Sequence, residues 1–231
     1  MIEAETLIAI DWGITNRRGY LLDTDGSVLE MRQDDCGIMN LGPSNFAAAL
    51  TDFINDWRNQ NETEPSVLMS GMIGSRQGWI EAPYVACPVR TDDLIRDIVP
   101  VPGMLNCFIV PGVCLSNKTA RHDVMRGEEV QIFGAARLNG QPSAILCLPG
   151  THSKWAQTKD GRLVDFTTAM TGELFQVIRE YSIIGTLMKT QSNHDAAAFR
   201  KGVDVSGRMG GLLSHIFSVR ADGLFGMLSD S

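Results

Sequence analysis

The stretch Leu7-Ile8-Ala9-Ile10-Asp11-Trp12-Gly13-Ile14-Thr15-Asn16-Arg17-Arg18-Gly19-Tyr20-Leu21-Leu22-Asp23 decides how the rest of the chain is read. It begins as a short apolar run of the kind that forms a buried strand. An acid, a glycine, a threonine and an asparagine then fill a turn. A second strand runs from Arg18 to Leu22, and Asp23-Thr24-Asp25-Gly26 turns the chain again. An aspartate at the end of a buried strand loses hydration energy unless it is paired or holds a cation. The residues after it are small and rich in donors, which suits a phosphate held by backbone N–H groups and hydroxyls. The stretch reads as a strand–turn–strand presenting a magnesium–phosphate group. An ordinary hairpin with polar turn residues is the other reading.

Composition narrows the function classes. The 231 residues carry a net charge of −7 and 44% hydrophobic residues, with no Lys/Arg block. Nucleic acid and anionic membranes are poor partners for such a surface. No apolar run has the length of a membrane span. Met1-Ile2-Glu3-Ala4-Glu5 lacks the basic region of a signal peptide. Cys36, Cys87, Cys107, Cys114 and Cys147 are odd in number and include no Cys-x-x-Cys pair. They fit reduced thiols in a cytoplasmic protein, with Cys107 and Cys147 as core filler.

In chain order, Ser27 to Gln33 is expected to add a third antiparallel strand. Ser44 is expected to cap a helix from Asn45 to about Arg58, with Phe46, Leu50, Phe53, Ile54 and Trp57 on one face. Val67-Leu68-Met69 reads as a buried strand. Ser70 to Tyr84 is a long glycine-containing loop, either a ligand loop with Arg76 as carboxylate clamp or a surface loop packed on Trp79 and Tyr84. Thr91 is expected to cap a helix from Asp92 to about Val99, and Leu105 to Val110 to form a strand. Asp123 is expected at the N-terminal edge of a helix running on through Glu128, Glu129 and Ala136, where the dipole favours a carboxylate. Ala144 to Leu148 reads as a buried strand. Pro149-Gly150-Thr151-His152-Ser153-Lys154 is a second donor-rich turn, followed by a hairpin around Lys159-Asp160-Gly161-Arg162. Thr171 is expected to cap a helix from Gly172 to about Tyr181. The remainder reads as helical, broken at Gly210-Gly211 and Gly223 to Gly226. A strand–turn–strand with a phosphate-like turn thus occurs twice.

The two hairpins with an acid between them resemble the actin/hexokinase/Hsp70 ATPase superfamily. More closely, Asp11 to Asn16, Gly71 to Trp79, Asp123 to Glu129, Leu148 to Trp155, Met170 to Phe175 and Gly223 to Gly226 look like the 2-dehydro-3-deoxygalactonokinase family. The resemblance covers almost the whole chain. It implies an α/β ribonuclease H-like actin/hexokinase ATPase fold, with two lobes around a nucleotide cleft and mixed sheets flanked by helices. The lobes are expected at residues 1–120 and 121–231. The family continues past this C-terminus, so the second lobe and its adenine-binding part are expected to be incomplete.

The implied activity is ATP-dependent phosphorylation of 2-dehydro-3-deoxy-D-galactonate at its 6-hydroxyl. Asp11 would hold Mg²⁺, through water. Gly13, Thr15, Asn16, Gly150 and Thr151 would bind phosphate oxygens, and Asp123 would take the hydroxyl proton. Arg76 with Ser75 would meet the substrate carboxylate or 2-oxo group, and Arg126 is a second candidate. Duller roles stand beside these. Asp123 also reads as a helix cap, His152 as a turn residue and Lys154 as a solvated strand residue. Trp79 and Trp155 read as packing residues, and at least one of Glu128 and Glu129 as structural. His122, His194 and His215 show no zinc-ligand spacing. Another kinase or hydrolase of the fold, and a non-catalytic sugar-acid binder, are the competing functions. The epimer read by the site and the oligomeric state, a homodimer included, stay open.

Overall fold

The computed structural model describes residues 6–42, 45–59, 64–116, 122–187 and 195–227. Strand β1 (Leu7–Trp12) pairs antiparallel with β2 (Arg17–Leu22), with Asp11 opposite Arg18 and Trp12 opposite Arg17. β3 (Val28–Asp34) continues the meander beside β2. Ile8, Ile10 and Trp12 are buried, as the two-residue strand period demands of one face. Helix α1 (Phe46–Asn59) packs on that core through Phe46, Leu50, Phe53, Ile54 and Trp57, the stripe its 3.6-residue period sets. Its expected cap, Ser44, lies outside the described residues. Arg17 is 3% exposed and fully engaged. Its guanidinium donates twice to the Asp34 carboxylate and once to Ala49 O, and lies 3.9 Å from the centroid of the Phe53 ring. A buried cation so paired ties the meander to α1.

The helical crossover returns the chain to β4 (Ser66–Ser70), parallel to β1. β5 (Tyr84–Ala86), α2 (Thr91–Arg96), β6 (Val99–Pro100) and β7 (Cys107–Ile109) follow. The first sheet has the order β3-β2-β1-β4-β7-β6. Its three antiparallel strands followed by two parallel ones give the ribonuclease H-like layout implied by the resemblance. The α2 helix stops at Arg96 rather than Val99, because Val99 and Pro100 pair with Ile109 and Phe108.

β8 (Gly112–Ser116) joins β5 to β9 (His122–Met125) in a second sheet, and α3 (Glu128–Leu138) follows. Asp123 is therefore not at a helix edge. Asp123, Val124 and Met125 pair with Leu115, Cys114 and Val113, and the chain turns at Gly127 before α3 begins. β10 (Ala144–Leu148), β11 (His152–Lys159) and β12 (Arg162–Met170) make a third sheet. Asp160 and Gly161, both at positive φ, form the tight turn that the sequence signals. β10 is a half-buried edge strand rather than a buried one. Cys147 and Trp155 face each other across the ladder, and both are exposed. Cys147 is not the core filler expected, nor Trp155 the packing residue, whereas Cys107 is buried as expected. Trp79 does pack, stacking on Phe46 with ring centroids 6.1 Å apart.

Two compact units result. The larger comprises residues 1–148 and 154–168, and the smaller residues 149–153 and 169–231. The larger has two cores, one around β1, β4 and α1, the other joining Val113, Met125 and Ile132 to Ala156, Leu163 and Phe166 of the β11–β12 ribbon. The smaller contains α4 (Gly172–Tyr181), α5 (Ala196–Ser206) and α6 (Gly211–Leu224), none of which buries a residue. Among the described residues no helix is long and apolar enough to cross a membrane.

Candidate active site

The turn between β1 and β2 owes its shape to a segment that the sequence reading passed over. Gly37 N–H donates to Thr15 O at 3.0 Å, Ile38 N–H to Gly13 O at 3.0 Å and Met39 N–H to Ile14 O at 3.1 Å. The indole N–H of Trp12 donates to Cys36 O at 2.8 Å. Gly13 N–H closes the turn onto Asn16 O at 2.9 Å. The turn carbonyls are thereby taken, while Ile14, Thr15 and Asn16 stand exposed. Their N–H groups have no acceptor among the described residues. A turn with its acceptors consumed and its donors outward is a ready anion cradle. Glycine at 37 is required by this close approach, since a Cβ there would lie 2.3 Å from the Ile14 carbonyl oxygen. Gly37→Ala is expected to push the turn away, raising the KM for nucleotide several-fold and lowering stability by roughly 1–3 kcal/mol. Steady-state kinetics and thermal melts would check both. The signal for this role was faint: one of two glycines, Gly37 and Gly42, in what reads as a plain loop from Asp34 to Pro43.

Asp11 ends β1 just before that turn. Arg18 Nη1 lies 3.5 Å from its carboxylate, with both side chains partly exposed. Burial raises its pKa above the ordinary carboxylate value, against the pull of the Arg18 charge. Gly71, which follows β4, lies against it at φ +93. A Cβ on Gly71 would be 2.8 Å from Trp12 O and 3.2 Å from Asp11 Oδ1. On the other side, a Cβ on Gly127 would be 3.1 Å from Gly71 Cα. These contacts bring the end of β1, the end of β4 and the start of α3 together. A cavity of about 190 Å³ opens there, lined by Asp11, Tyr20, Ser70, Gly127 and Gln131 among others. Glu129, in the first turn of α3, is 0% exposed and accepts the Gly127 N–H on both carboxylate oxygens, at 2.9 and 2.7 Å.

The loop from Ser70 to Tyr84 packs around Arg126, the second candidate, and not around Arg76. Arg76 is exposed, its side chain 82% accessible, and it pairs with Glu81 on the surface. Arg126, which follows β9, is buried beside that loop. Its Nη2 donates to Ala82 O at 2.7 Å and its guanidinium lies 4.3 Å from the centroid of the Tyr84 ring. A Cβ on Gly74 would be 2.9 Å from Arg126 Nη1. Arg126 Nε and Nη1 and the nearby Ser75 Oγ are buried with no hydrogen-bond partner among the described residues. Buried donors without acceptors are rare and costly in a folded protein. Here they sit together, and one side carries a charge.

Asp123 has its carboxylate occupied. Oδ2 accepts the Thr168 N–H at 2.8 Å, and Oδ1 accepts the Thr168 hydroxyl at 2.6 Å and the Val124 N–H at 2.9 Å. Burial alone would raise its pKa. The Thr168 and Val124 bonds and the Lys154 charge outweigh it and hold the carboxyl below its ordinary value. Lys154 is 5% exposed rather than solvated, and donates to Val124 O and Thr168 Oγ1 at 2.8 Å each.

The second turn, described within the smaller unit, repeats the logic of the first. Gly150 O accepts from Gly172 N–H at 3.2 Å and from the Thr171 hydroxyl at 3.1 Å, and Thr151 O accepts from Glu173 N–H at 3.1 Å. The start of α4 thus consumes the turn's acceptors and leaves Gly150, Thr151 and His152 exposed. Thr171 is not the side-chain cap expected, because its hydroxyl serves this turn and Ser153 Oγ instead. His152 Nε2 pairs with the Glu173 carboxylate.

Comparison with known proteins agrees with the resemblance. Residues 11–231 match the family model described as 2-keto-3-deoxy-galactonokinase. The chain is 39% identical over 221 residues to the 2-dehydro-3-deoxygalactonokinase of Escherichia coli strain K12, covering 96% of this chain and 72% of that protein. A Rhizobium meliloti strain 1021 protein assigned the same activity is 34% identical over 229 residues, with the same two coverages. A crystal structure from Sinorhizobium meliloti, assigned as a 2-dehydro-3-deoxygalactonokinase, superposes with a TM-score of 0.88 at 32% identity, over 97% of this chain and 75% of that one. The mixed sheets, the crossover helix and these relatives agree: the chain belongs to the 2-keto-3-deoxy-galactonokinase family.

Proposed function

We propose that this chain is a kinase that transfers the γ-phosphoryl group of ATP to the 6-hydroxyl of 2-dehydro-3-deoxy-D-galactonate. The observation that carries the reading is the buried guanidinium of Arg126, with two N–H-bearing nitrogens unpartnered beside an unpartnered Ser75 hydroxyl. A planar cation fixed by Ala82 O and the Tyr84 ring is suited to a carboxylate held in a forked geometry. A neutral sugar would leave it uncompensated. Arg76, spent on Glu81 at the surface, has no such part.

Phosphoryl transfer asks the protein for positioning and charge neutralisation more than for covalent chemistry. In the larger unit the outward donors of Thr15 and Asn16 suit phosphate oxygens, while Gly13, its N–H spent on Asn16 O, shapes the turn; within the smaller unit the exposed turn at Gly150 and Thr151 suits the same kind of group. Among the described residues no cluster of three His, Cys, Asp or Glu could chelate a metal alone. One half-buried carboxylate, Asp11, fits Mg²⁺, which keeps most of its waters and takes phosphate oxygens as ligands. Bound there, the ion would neutralise charge on the phosphates. All five cysteines are free thiols, which supports a place in the reducing cytoplasm.

Asp123 was the expected proton acceptor, and its surroundings support another role. Both oxygens are engaged and its pKa is lowered, so it ties β9 to β12 through Thr168. Asp123→Asn puts an N–H donor against the Thr168 donors. It is expected to destabilise the fold by about 1–3 kcal/mol with kcat reduced less than about tenfold. A loss of 10²–10⁴-fold in kcat at unchanged melting temperature would restore it as the base.

The function itself is tested by coupled ADP release with a set of 2-oxo-3-deoxy sugar acids. Turnover that depends on the galactonate-derived acid is expected. No turnover with any of them would overturn the reading.

A further inference from the structure

We propose that Glu129 is the group that receives the proton of the attacking hydroxyl; the assignment rests on the kinase reading above. Its position is set by contacts already described. Gly127, whose N–H binds both Glu129 oxygens, touches Gly71, and Gly71 touches Asp11. Arg126 immediately precedes Gly127, and its charge acts on Glu129. The carboxyl group therefore lies among the proposed metal ligand, the start of α3 and the proposed carboxylate clamp. These are the surroundings in which the far hydroxyl of a bound sugar acid has to meet a phosphoryl group.

Two observations set Glu129 apart from an ordinary helix-terminal acid. It is 0% exposed, and no Lys, Arg or His among the described residues forms an ion pair with it. A carboxylate offers about four lone-pair sites, and among the described residues only the Gly127 N–H, on both oxygens, and its own backbone N–H act on this one. The second observation is independent. The buried Nε and Nη1 of Arg126 are unpartnered in the same neighbourhood. An acceptor and a donor, both buried and both short of partners, are what a polar ligand would satisfy.

Burial pushes the Glu129 carboxyl up to about 7, and Glu128 adds to the rise. The N–H groups of Glu129 and Gly127 and the Arg126 charge pull back against it. The titratable and charged groups around it are Glu128 on α3, Arg126 with Tyr84 beneath it, and Asp11 with Arg18 across the Gly71 contact. Near neutral pH such a group can take a proton and give it back.

In the step, the substrate oxygen forms a bond to the γ-phosphorus as its O–H bond breaks. The proton passes to a carboxylate oxygen of Glu129. The bond from the γ-phosphorus to the bridging oxygen breaks, and its electron pair leaves with ADP.

The test is the dependence of kcat on pH, over roughly pH 5 to 9, for the wild type, Glu129→Gln and Glu129→Asp. The wild-type kcat is expected to rise through an acid limb near neutrality. E129Q keeps the shape and an acceptor for the Gly127 N–H. It is expected to lose about 10²–10⁴-fold in kcat, with KM within a few-fold, and to lose the limb. E129D moves the carboxylate back by more than 1 Å and is expected to lose on the order of 10²-fold. Stability should move the other way. A carboxyl whose folded pKa is raised withdraws stability as pH rises through that pKa. E129Q should therefore melt at or above the wild type at alkaline pH. Folded E129Q with the wild-type limb and kcat would overturn the assignment and leave the kinase reading intact. Should E129Q not fold, E129D at wild-type kcat would do the same. A wild-type chain without turnover would overturn both.

Discussion

Arg126→Ala raises the KM for the sugar acid on the order of 10²-fold and leaves the KM for ATP within about twofold. Arg76→Ala changes neither by more than about twofold. The contrast follows from where the two cations stand. Arg76 is solvated and paired to Glu81. An exposed pair of that kind is worth less than about 1 kcal/mol and is screened by salt. Arg126 is 8% exposed, and its side chain is fixed before substrate arrives. Removing one partner of a buried charge-assisted pair costs roughly 2–5 kcal/mol, and each 1.4 kcal/mol is tenfold in affinity. Arg126→Lys should fail nearly as badly, because an ammonium cannot hold Ala82 O, stack on Tyr84 and fork onto a carboxylate at once. Ser75→Ala should give a smaller rise, about three- to tenfold, since a neutral hydrogen bond is worth about 1 kcal/mol. Equal effects of R76A and R126A on KM would refute the clamp.

Asp11→Asn lowers kcat by roughly 10³-fold, with no loss of thermal stability. The two halves of this expectation share a cause. Burial raises the Asp11 pKa, so the charge is held at neutral pH against a desolvation penalty that Arg18 only partly offsets. A group with its folded pKa raised gives its stability below the unfolded pKa and withdraws it as pH rises through the folded pKa. Asn carries no charge and escapes that withdrawal, so the melting temperature of D11N at neutral pH should equal or exceed that of the wild type. Activity goes the other way, because an amide is a poor ligand for a hard divalent cation. The same shift gives a pH dependence. As pH falls through the raised pKa, protons compete for Asp11 and the apparent affinity for Mg²⁺ should weaken. Titrating activity with Mg²⁺ at several pH values would show it. A D11N protein that keeps wild-type kcat and metal dependence would refute the assignment.

The first hairpin, α1 and its buried stripe were legible because one-dimensional periods dictate them. Ile8, Ile10 and Trp12 alternate, and Phe46, Leu50, Phe53, Ile54 and Trp57 repeat at helical spacing. Asp123 was misplaced because Val124 to Ile132 keeps an apolar pattern compatible with either element. Only the ladder to β8 and the turn at Gly127 decide it. Cys147 and Trp155 were misread for a related reason. A strand pattern reveals a period, but not whether anything covers the second face. Of the two arginines the sequence offers for the substrate carboxylate, Arg76 comes first by its place in the loop, and the proposed preference for Arg126 rests on partnership with Glu81 or Ala82, a property of three dimensions. Glu129 was visible as an acid at a helix start. Its complete burial was not, and that burial is what separates it from Glu128.

The three bonds from residues 37–39 to the first turn have a thermodynamic consequence. A flexible phosphate loop must surrender conformational freedom when it closes on its ligand, about 1–2 kcal/mol for each residue fixed. Here that ordering is already complete when the chain folds, anchored by the Trp12 indole and by strand ladders on both sides. Such preorganisation leaves more of the interaction energy for binding, and it keeps the donors aimed when the phosphate charge redistributes in the transition state. On the proposed reading, the segment after β3 would set how tightly a phosphate is held at the turn without touching it.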